Sequence, residues 1–244
     1  MSSTQSLAEE LGAMSATYET SDTIQNVLKS KELVPLIGPF AVGKTTLMRT
    51  VESLNGTFGR VRSFTTRTQR VGEEDTTYDF LPHSVETLSR IRNQALAREL
   101  VQLIVHPKTG FVYGSTVESY QADYPMLDVM PTSLPGLEKL PFQQVRRTFI
   151  VAPAAAWRQR VQKRLQDGDP DDLRKRLQEG VASLTWALDQ GDDLAWVING
   201  DTGVREVAVN FIRIVRYGDE RLAVNAARNT ASRLLDEMRA LADA

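Results

Sequence analysis

One eight-residue segment constrains the fold of this chain more than any other: residues 38–45 read G-P-F-A-V-G-K-T. Residues 33–37 before it have the apolar composition of a buried strand, and residues 46–51 after it suit a helix. The pattern G-x-x-x-x-G-K-[ST] between a strand and a helix is typical of a loop that wraps backbone N–H groups around a polyphosphate, at the positive end of the helix. The sequence therefore predicts an α/β fold with a phosphate-binding loop.

Individual residues of this loop have predicted roles. Lys44 is expected to reach the β- and γ-phosphates of a nucleotide, and the Thr45 hydroxyl is expected to bind Mg²⁺. The predicted nucleotide-binding residues of the loop are Gly38, Val42, Gly43, Lys44, Thr45 and Thr46. The loop alone does not distinguish a kinase from a GTPase or an ATPase motor. A GTPase would carry the guanine-reading string N-K-x-D, and because the sequence contains none, that class is excluded.

Composition narrows the environment and the partners. The 244 residues carry a net charge of −2, which offers no basic excess for nucleic acid or an anionic membrane. The chain has no cysteine, which excludes disulfides and thiolate metal ligands. The first 20 residues lack the features of a signal peptide, and no apolar stretch is long enough to span a bilayer. We therefore expect a cytoplasmic protein whose partners are nucleotides, with no nucleic acid and no membrane among them.

A second group of strings points to a second phosphate. Residues 63–73 read S-F-T-T-R-T-Q-R-V-G-E, residues 78–80 read Y-D-F, and residues 111–116 read F-V-Y-G-S-T. The two arginines of the first string, Arg67 and Arg70, lie three residues apart beside hydroxyls and form a fork suited to a phosphate. Taken singly, the arginines would fit a solvated basic loop, and the tyrosines would fit strand packing.

Taken together with the loop, these strings resemble the guanylate kinases. That family shows G-P-S-G-x-G-K-[ST], then S-x-T-T-R-x-x-R-x-G-E, then D-Y-x-F and Y-G-[ST], and this chain has the pieces in the same order over about residues 33–216. The resemblance implies a P-loop NTPase fold with a parallel sheet flanked by helices. It further implies a small mixed-β insertion near 64–114 for the acceptor and a short lid near 164–176. We expect three parts: a helical extension (1–31), a kinase-like domain (32–217) and a terminal helix (218–244).

The resemblance also implies a reaction and its residues. It implies an ATP- and Mg²⁺-dependent transfer of a phosphoryl group to a nucleoside monophosphate, GMP or a related nucleotide. The catalytic residues would be Lys44, Arg67, Asp128 and Arg176, with Mg²⁺ bound by Thr45 directly and by Asp128 through a water. Arg164 and Asn199 would complete the ATP site. The acceptor would be held by Ser63, Arg67, Arg70, Glu73, Tyr78, Gln102, Tyr113, Ser115 and Met130.

The chain departs from the family where the acceptor base would be read. Gln102 and Met130 stand where the family has two acids that accept hydrogen bonds from guanine, so guanine specificity should be weakened or replaced. The lid also lacks the extra arginine that the family carries around Gly168. Two alternatives therefore stay open: a catalytically weak or inactive binding or protein-interaction module, and a kinase of a non-nucleotide phosphate such as a sugar phosphate.

Other helical segments are predicted from apolar spacing. Residues 1–21 suggest a loosely attached helix. Residues 219–242 carry an apolar seam that would either pack on its own domain, the interpretation we prefer, or pair two subunits in a homodimer. On the predicted helix at 154–167, Arg158, Arg160 and Lys163 are expected to form a solvated face. A strand is expected at 60–64 and a helix at 115–122.

Overall fold

The computed structural model describes residues 3–69, 78–164, 170–191, 193–200, 202–218 and 224–242, without the side chains of Arg164 and Pro170. The helices within these ranges are α1 (Ser3–Ala16), α2 (Asp22–Leu28), α3 (Lys44–Leu54), α4 (Val85–Leu96), α5 (Leu134–Leu137), α6 (Ala154–Arg164), α7 (Pro170–Asp189), α8 (Val204–Tyr217) and α9 (Val224–Ala242). The strands are β1 (Glu32–Ile37), β2 (Phe58–Arg60), β3 (Ser63–Thr65), β4 (Tyr78–Phe80), β5 (Leu100–Val105), β6 (Val112–Thr116), β7 (Tyr124–Asp128), β8 (Gln144–Val145), β9 (Thr148–Val151) and β10 (Ala195–Ile198).

A parallel sheet forms the centre of the molecule, in the order β10-β9-β1-β7-β2, with β8 pairing with the start of β1. β1 lies between β7 and β9, and its residues from Leu33 to Ile37 are buried, as expected for a central strand covered on both faces. Helices flank the sheet, with α3 and α8 packed together and α9 packed against β9 and β10. The predicted α/β architecture, with the glycine-rich loop after a central buried strand, is confirmed.

A second, mixed sheet has the order β4-β3-β6-β5. β3 pairs parallel to β4 and antiparallel to β6, which in turn pairs antiparallel to β5. One face of this sheet is apolar and packs on α4, and its buried cluster includes Phe64, Leu88, Ile91, Leu103 and Val112. The small mixed-β unit expected near 64–114 is therefore present as a sheet with one helix-covered face.

The N-terminal helix is firmly packed, and the expectation of loose attachment is wrong. α1 lies against α4 and β5, and its Leu11 is fully buried. Just after α1, the Tyr18 hydroxyl donates to the carbonyl of Leu100 at 2.8 Å and accepts from its N–H at 3.0 Å. Arg92 of α4 pairs with Glu10 at 2.5 Å. The extension therefore covers the apolar face of the second sheet together with α4. Among the described helices, only these two contribute residues to the cluster on that face.

The C-terminal helix α9 also packs on its own chain. Its contacts are with α7, α6, β9 and β10. The buried residues of its apolar seam are Ala227, Ala231, Leu234, Leu235 and Met238. Packing on its own domain was the preferred interpretation of this seam. A homodimer through the terminal helices stays a prediction, and it would have to use surfaces other than this seam.

Two predicted elements were wrong. The single strand expected at 60–64 is two strands in different sheets, since β2 ends at Arg60 and β3 begins at Ser63. The helix expected at 115–122 is only a 3-10 turn at Val117–Tyr120, because residues up to Thr116 extend as β6. Pairing of Ser115 and Thr116 with β5 overrides the local preference there. No helix in the described ranges is long and apolar enough to cross a membrane.

Candidate active site

The loop after β1 follows a path that glycine makes possible. Gly38 has φ +147° and Gly43 has φ +90°, in the region that L side chains rarely adopt. A Cβ on Gly38 would overlap the carbonyl oxygen of Ile150, and a Cβ on Gly43 would overlap the side-chain nitrogen of Asn199. Ala41 between them also has a positive φ, +60°. A backbone that alternates between positive and negative φ, as it does here, forms concavities lined by N–H groups that bind anions.

The carbonyls of the loop are held from behind. The Trp157 indole N–H donates to Phe40 O at 2.9 Å, and Arg160 Nη1 donates to Val42 O at 3.1 Å. Asn199 Nδ2 donates to the same Val42 oxygen at 2.7 Å. In a trans peptide the C=O and the following N–H point in opposite directions, and the described chain has no cis bond. The N–H groups that follow Phe40 and Val42 are therefore directed away from these donors.

Lys44 lies at the start of α3, beside the carboxyl end of the neighbouring strand. Its Nζ is 2.5 Å from Gly38 O and 3.0 Å from Pro39 O. It is also 3.6 Å from Asp128 Oδ1. Asp128 ends β7, and the parallel register that pairs it with Leu36 brings its carboxylate to the edge from which the loop starts. The structure thus brings together two predicted catalytic residues, Lys44 and Asp128.

The residues present fit a bound Mg²⁺. The Thr45 hydroxyl lies in the first turn of α3 and Asp128 carries a partly exposed carboxylate, so the protein offers one direct oxygen ligand and one carboxylate that can act through a water. No cluster of three or more acidic, histidine or cysteine side chains that could hold a metal occurs in the part of the chain that the structure describes. Mg²⁺ typically takes one or two protein oxygens and completes its octahedron with phosphate and water, which matches this donor set.

The structure places two of the three other residues predicted for the ATP and transition-state site, and the side chain of the third lies outside the described part. Asn199 follows β10, is buried, and gives its amide to the loop, so its contact with adenine stays a prediction. Arg176 lies on α7, where its Nε is 2.6 Å from Asp172. The side chain of Arg164 lies outside the described residues, as do residues 165–169 of the predicted lid. The neutralising role of Arg176 therefore remains a proposal.

Most of the predicted acceptor residues share one face of the second sheet. Strand alternation places Ser63 and Thr65 opposite to Phe64, which points into the apolar cluster under α4. The register pairs Ser63 with Tyr78 and Thr65 with Tyr113. The remaining pair, Gln102 and Ser115, is on the same face. The strings that are distant in the sequence therefore converge on the face away from α4.

Arg67, which follows β3, is held among aromatic rings. It is only 9% exposed, and its guanidinium carbon lies 5.3 Å from the Tyr78 ring centre and 5.2 Å from that of Phe80. Tyr78 and Tyr113 are themselves in edge contact, with centres 6.2 Å apart. These rings hold the guanidinium plane by cation–π contact. Phe80 was not singled out from the sequence, although its alternation with Tyr78 along β4 places it on the same face.

The two positions predicted to read the acceptor base carry no acid. Gln102 is half-buried and Met130, two residues after β7, is 43% exposed. Ser115 is fully buried, and its hydroxyl is 2.9 Å from that of Tyr120. Burial raises the pKa of the Tyr120 phenol well above its ordinary value, so the pair is neutral. A contact of Ser115 with the acceptor base stays a prediction, and Arg70 and Glu73 lie outside the described residues.

Sequence reasoning was wrong about Arg160. It was expected on a solvated face of α6, but its guanidinium binds Val42 O, Asn199 O at 3.1 Å and Gly200 O at 3.3 Å. Trp157, three residues earlier, is fully buried against the same loop. Because residues three apart lie on one side of a helix, the spacing of Arg160 from an apolar tryptophan was a signal that could have placed it against the core.

Comparison with known proteins finds distant similarity among solved structures only. No family model matches the chain, and no curated protein matches it. Among solved structures, the guanylate kinase from Anaplasma phagocytophilum is similar with a TM-score of 0.48 and 17% identity, over 79% of this chain and 88% of that one. The fold assignment rests on the strand order and loop geometry of the chain itself.

Proposed function

We propose that this protein is an ATP- and Mg²⁺-dependent kinase that transfers a phosphoryl group to a nucleoside monophosphate. The proposal is supported by two places in the described chain that suit an anion. One is the glycine-dependent loop with Lys44 beside Asp128. The other is Arg67, nine-tenths buried between Tyr78 and Phe80 on a separate sheet. A phosphate-hydrolysing enzyme needs only the first of these sites.

On the donor side, the loop N–H groups and Lys44 would bind and orient the triphosphate of ATP. The ammonium group of Lys44 would leave the loop carbonyls for the β- and γ-phosphates, which are stronger acceptors. Thr45 would bind Mg²⁺ directly and Asp128 would orient it through a water, and the ion would supply neutralisation of charge on the phosphate oxygens. Asn199 would keep Val42 O turned from the anion.

On the acceptor side, Arg67, Tyr78 and Tyr113 would hold the monophosphate by charge-assisted hydrogen bonds. Phosphoryl transfer needs little covalent help, so catalysis depends on aligning two anions and neutralising their repulsion. Arg176, now paired with Asp172, would contribute to that neutralisation. Gln102 and Met130 would contact the base, and neither side chain demands guanine.

The test is ADP formation with MgATP and a panel of acceptors: GMP, dGMP, AMP, CMP, UMP, dTMP and a sugar phosphate. We expect turnover with at least one monophosphate, and loss of roughly a hundredfold or more in kcat for Lys44→Ala. Arg92→Ala, which removes an exposed ion pair on α4, is the matched control and should retain turnover. No ADP with any acceptor, or full turnover in Lys44→Ala, would contradict the proposal.

The same panel decides between the two alternatives. The absence of a carboxylate at Gln102 and Met130 favours an acceptor other than GMP, and turnover confined to the sugar phosphate would identify a non-nucleotide kinase. Tight MgATP binding by calorimetry without turnover on any acceptor would instead identify a binding module.

A further inference from the structure

Helix α6 presents two hydrogen-bond donors to the back of the phosphate loop. Trp157 binds Phe40 O and Arg160 binds Val42 O, so donors three residues apart on the helix meet carbonyls two residues apart in the loop. Trp157 is fully buried, and the Phe40 ring packs edge-on against it with centres 5.6 Å apart. These two hydrogen bonds fix the orientation of two peptide planes of the loop relative to α6.

Arg160 makes the more extended of these contacts. Its Nη1 reaches the loop, while its Nη2 reaches the carbonyls of Asn199 and Gly200 beyond β10. Asn199 in turn donates to Val42 O, so one loop oxygen receives both a guanidinium and an amide donor. The guanidinium therefore ties together three elements that are far apart in the sequence: the loop, α6 and the end of β10.

This arrangement has a direct consequence for anion binding. A carbonyl oxygen turned toward a phosphate would repel it, whereas an N–H attracts it. Because Val42 O is held by Arg160 and Asn199, the N–H of Gly43 in the same peptide plane points the other way. The positive charge of Arg160 also lies behind the loop, where it strengthens the field at the anion.

We propose that Arg160 is a positioning residue of the donor site, which sets affinity for the triphosphate by holding Val42 O and never touches the nucleotide itself. The inference rests on the proposed function only in taking a nucleoside triphosphate as the ligand. Lysine should not replace arginine, because a single ammonium cannot reach carbonyls on two separate segments as the planar fork does.

The experiment is calorimetric titration with MgATP and, separately, with inorganic tripolyphosphate, which has phosphates but no base. Arg160→Gln should weaken both ligands by the same factor, roughly tenfold to a hundredfold, and Arg160→Lys should recover little of the loss. Binding of GMP, or of the acceptor found by the panel, should be unchanged. Arg158→Gln is the matched control, because Arg158 lies on α6, is exposed and pairs with Glu237.

Thermal unfolding without ligand accompanies each titration, so that loss of fold is separated from loss of binding. If Arg160→Gln is unfolded, the folded Arg160→Lys variant decides the question, since the inference requires it to bind tripolyphosphate more weakly than wild type. Equal affinity of wild type and the folded Arg160 variants for tripolyphosphate overturns the inference, and so does weakening of MgATP alone. A wild type that binds tripolyphosphate but transfers no phosphoryl group contradicts the proposed function and leaves the Arg160 comparison intact.

Discussion

The phosphate loop and the acceptor face of the second sheet are built from different parts of the chain. In the loop, main-chain groups turn toward the anion site, and side chains such as Trp157 and Asn199 stand behind them. On the proposed acceptor face, side chains themselves would form the site, and the Arg67 guanidinium contacts the rings of Tyr78 and Phe80. The loop would meet its anion chiefly through backbone groups that side chains hold from behind, whereas the second-sheet face would meet its ligand through the side chains themselves.

The difference determines how far each region can change. Backbone conformation at Gly38 and Gly43 is a requirement that few residues satisfy, so a functional loop keeps its glycines. Side chains on the face of a sheet can be exchanged without altering the sheet, and the predicted acceptor residue Gln102 lies at such a position. Donor binding should therefore be sensitive to backbone changes, and acceptor choice should be sensitive to side-chain changes.

The largest effect is expected at Gly38. In Gly38→Ala the added Cβ overlaps the carbonyl of Ile150, a backbone atom of β9 that cannot swing aside, and the φ of +147° is strained for alanine. We expect the free energy of unfolding to fall by about 3 kcal/mol or more, measured by urea denaturation. Gly136→Ala is the control, because nothing lies within 4 Å of its added Cβ, and its change should stay within about 0.5 kcal/mol. Equal losses of unfolding free energy in Gly38→Ala and Gly136→Ala would contradict the view that the loop depends on its backbone conformation.

This contrast also explains what could be predicted from the sequence. The loop and the parallel sheet were predicted, because a path that only glycine adopts easily leaves a motif that is visible in the chain; Asp128 came only from the resemblance, and its position beside Lys44 is a finding of the structure. The division of residues 58–65 between two sheets was not, since nothing local marks where β2 leaves one sheet and β3 joins another. Arg160 was missed for a related reason: its partners are carbonyls of distant segments, and carbonyls carry no residue identity.

The next effect is expected at Arg67. Arg67→Lys keeps the charge but loses the planar fork and the stacking between Tyr78 and Phe80. The kcat/KM for the acceptor should fall by roughly tenfold to a hundredfold, while the KM for ATP changes little. Steady-state kinetics with each substrate varied in turn measure both constants, and Arg92→Lys on α4 is the control. A rise in the KM for ATP instead would show that the two regions are not separate.

A smaller effect concerns Tyr120, which is buried in a separate apolar cluster with Val61, Val101 and Leu127. Burial raises the pKa of Tyr120, so the folded protein holds that phenolic proton above pH 10 more tightly than the unfolded chain does. This contribution to stability is complete below pH 10 and is lost as the pH rises further, by about 1.4 kcal/mol per pH unit for one proton. The free energy of unfolding, measured by urea denaturation at several pH values above 10, should fall less steeply with pH in Tyr120→Phe than in wild type. Tyr18, whose pKa burial also raises, should behave in the same direction. An unchanged slope in Tyr120→Phe would contradict the assignment.

The smallest expected effect is also the sharpest test of side-chain-determined acceptor choice. Gln102→Glu places a carboxylate on the half-buried position that faces the same side as Tyr113 and Ser115. A carboxylate accepts from the N1–H and amino group of guanine more strongly than an amide does, by about 1 kcal/mol, so the ratio of kcat/KM for GMP to that for AMP should rise about fivefold. Gln143→Glu makes the same charge change at an exposed position before β8 and should leave the ratio unaltered. A ratio that does not move in Gln102→Glu would mean that the base lies elsewhere, and acceptor choice would then not be determined on this face.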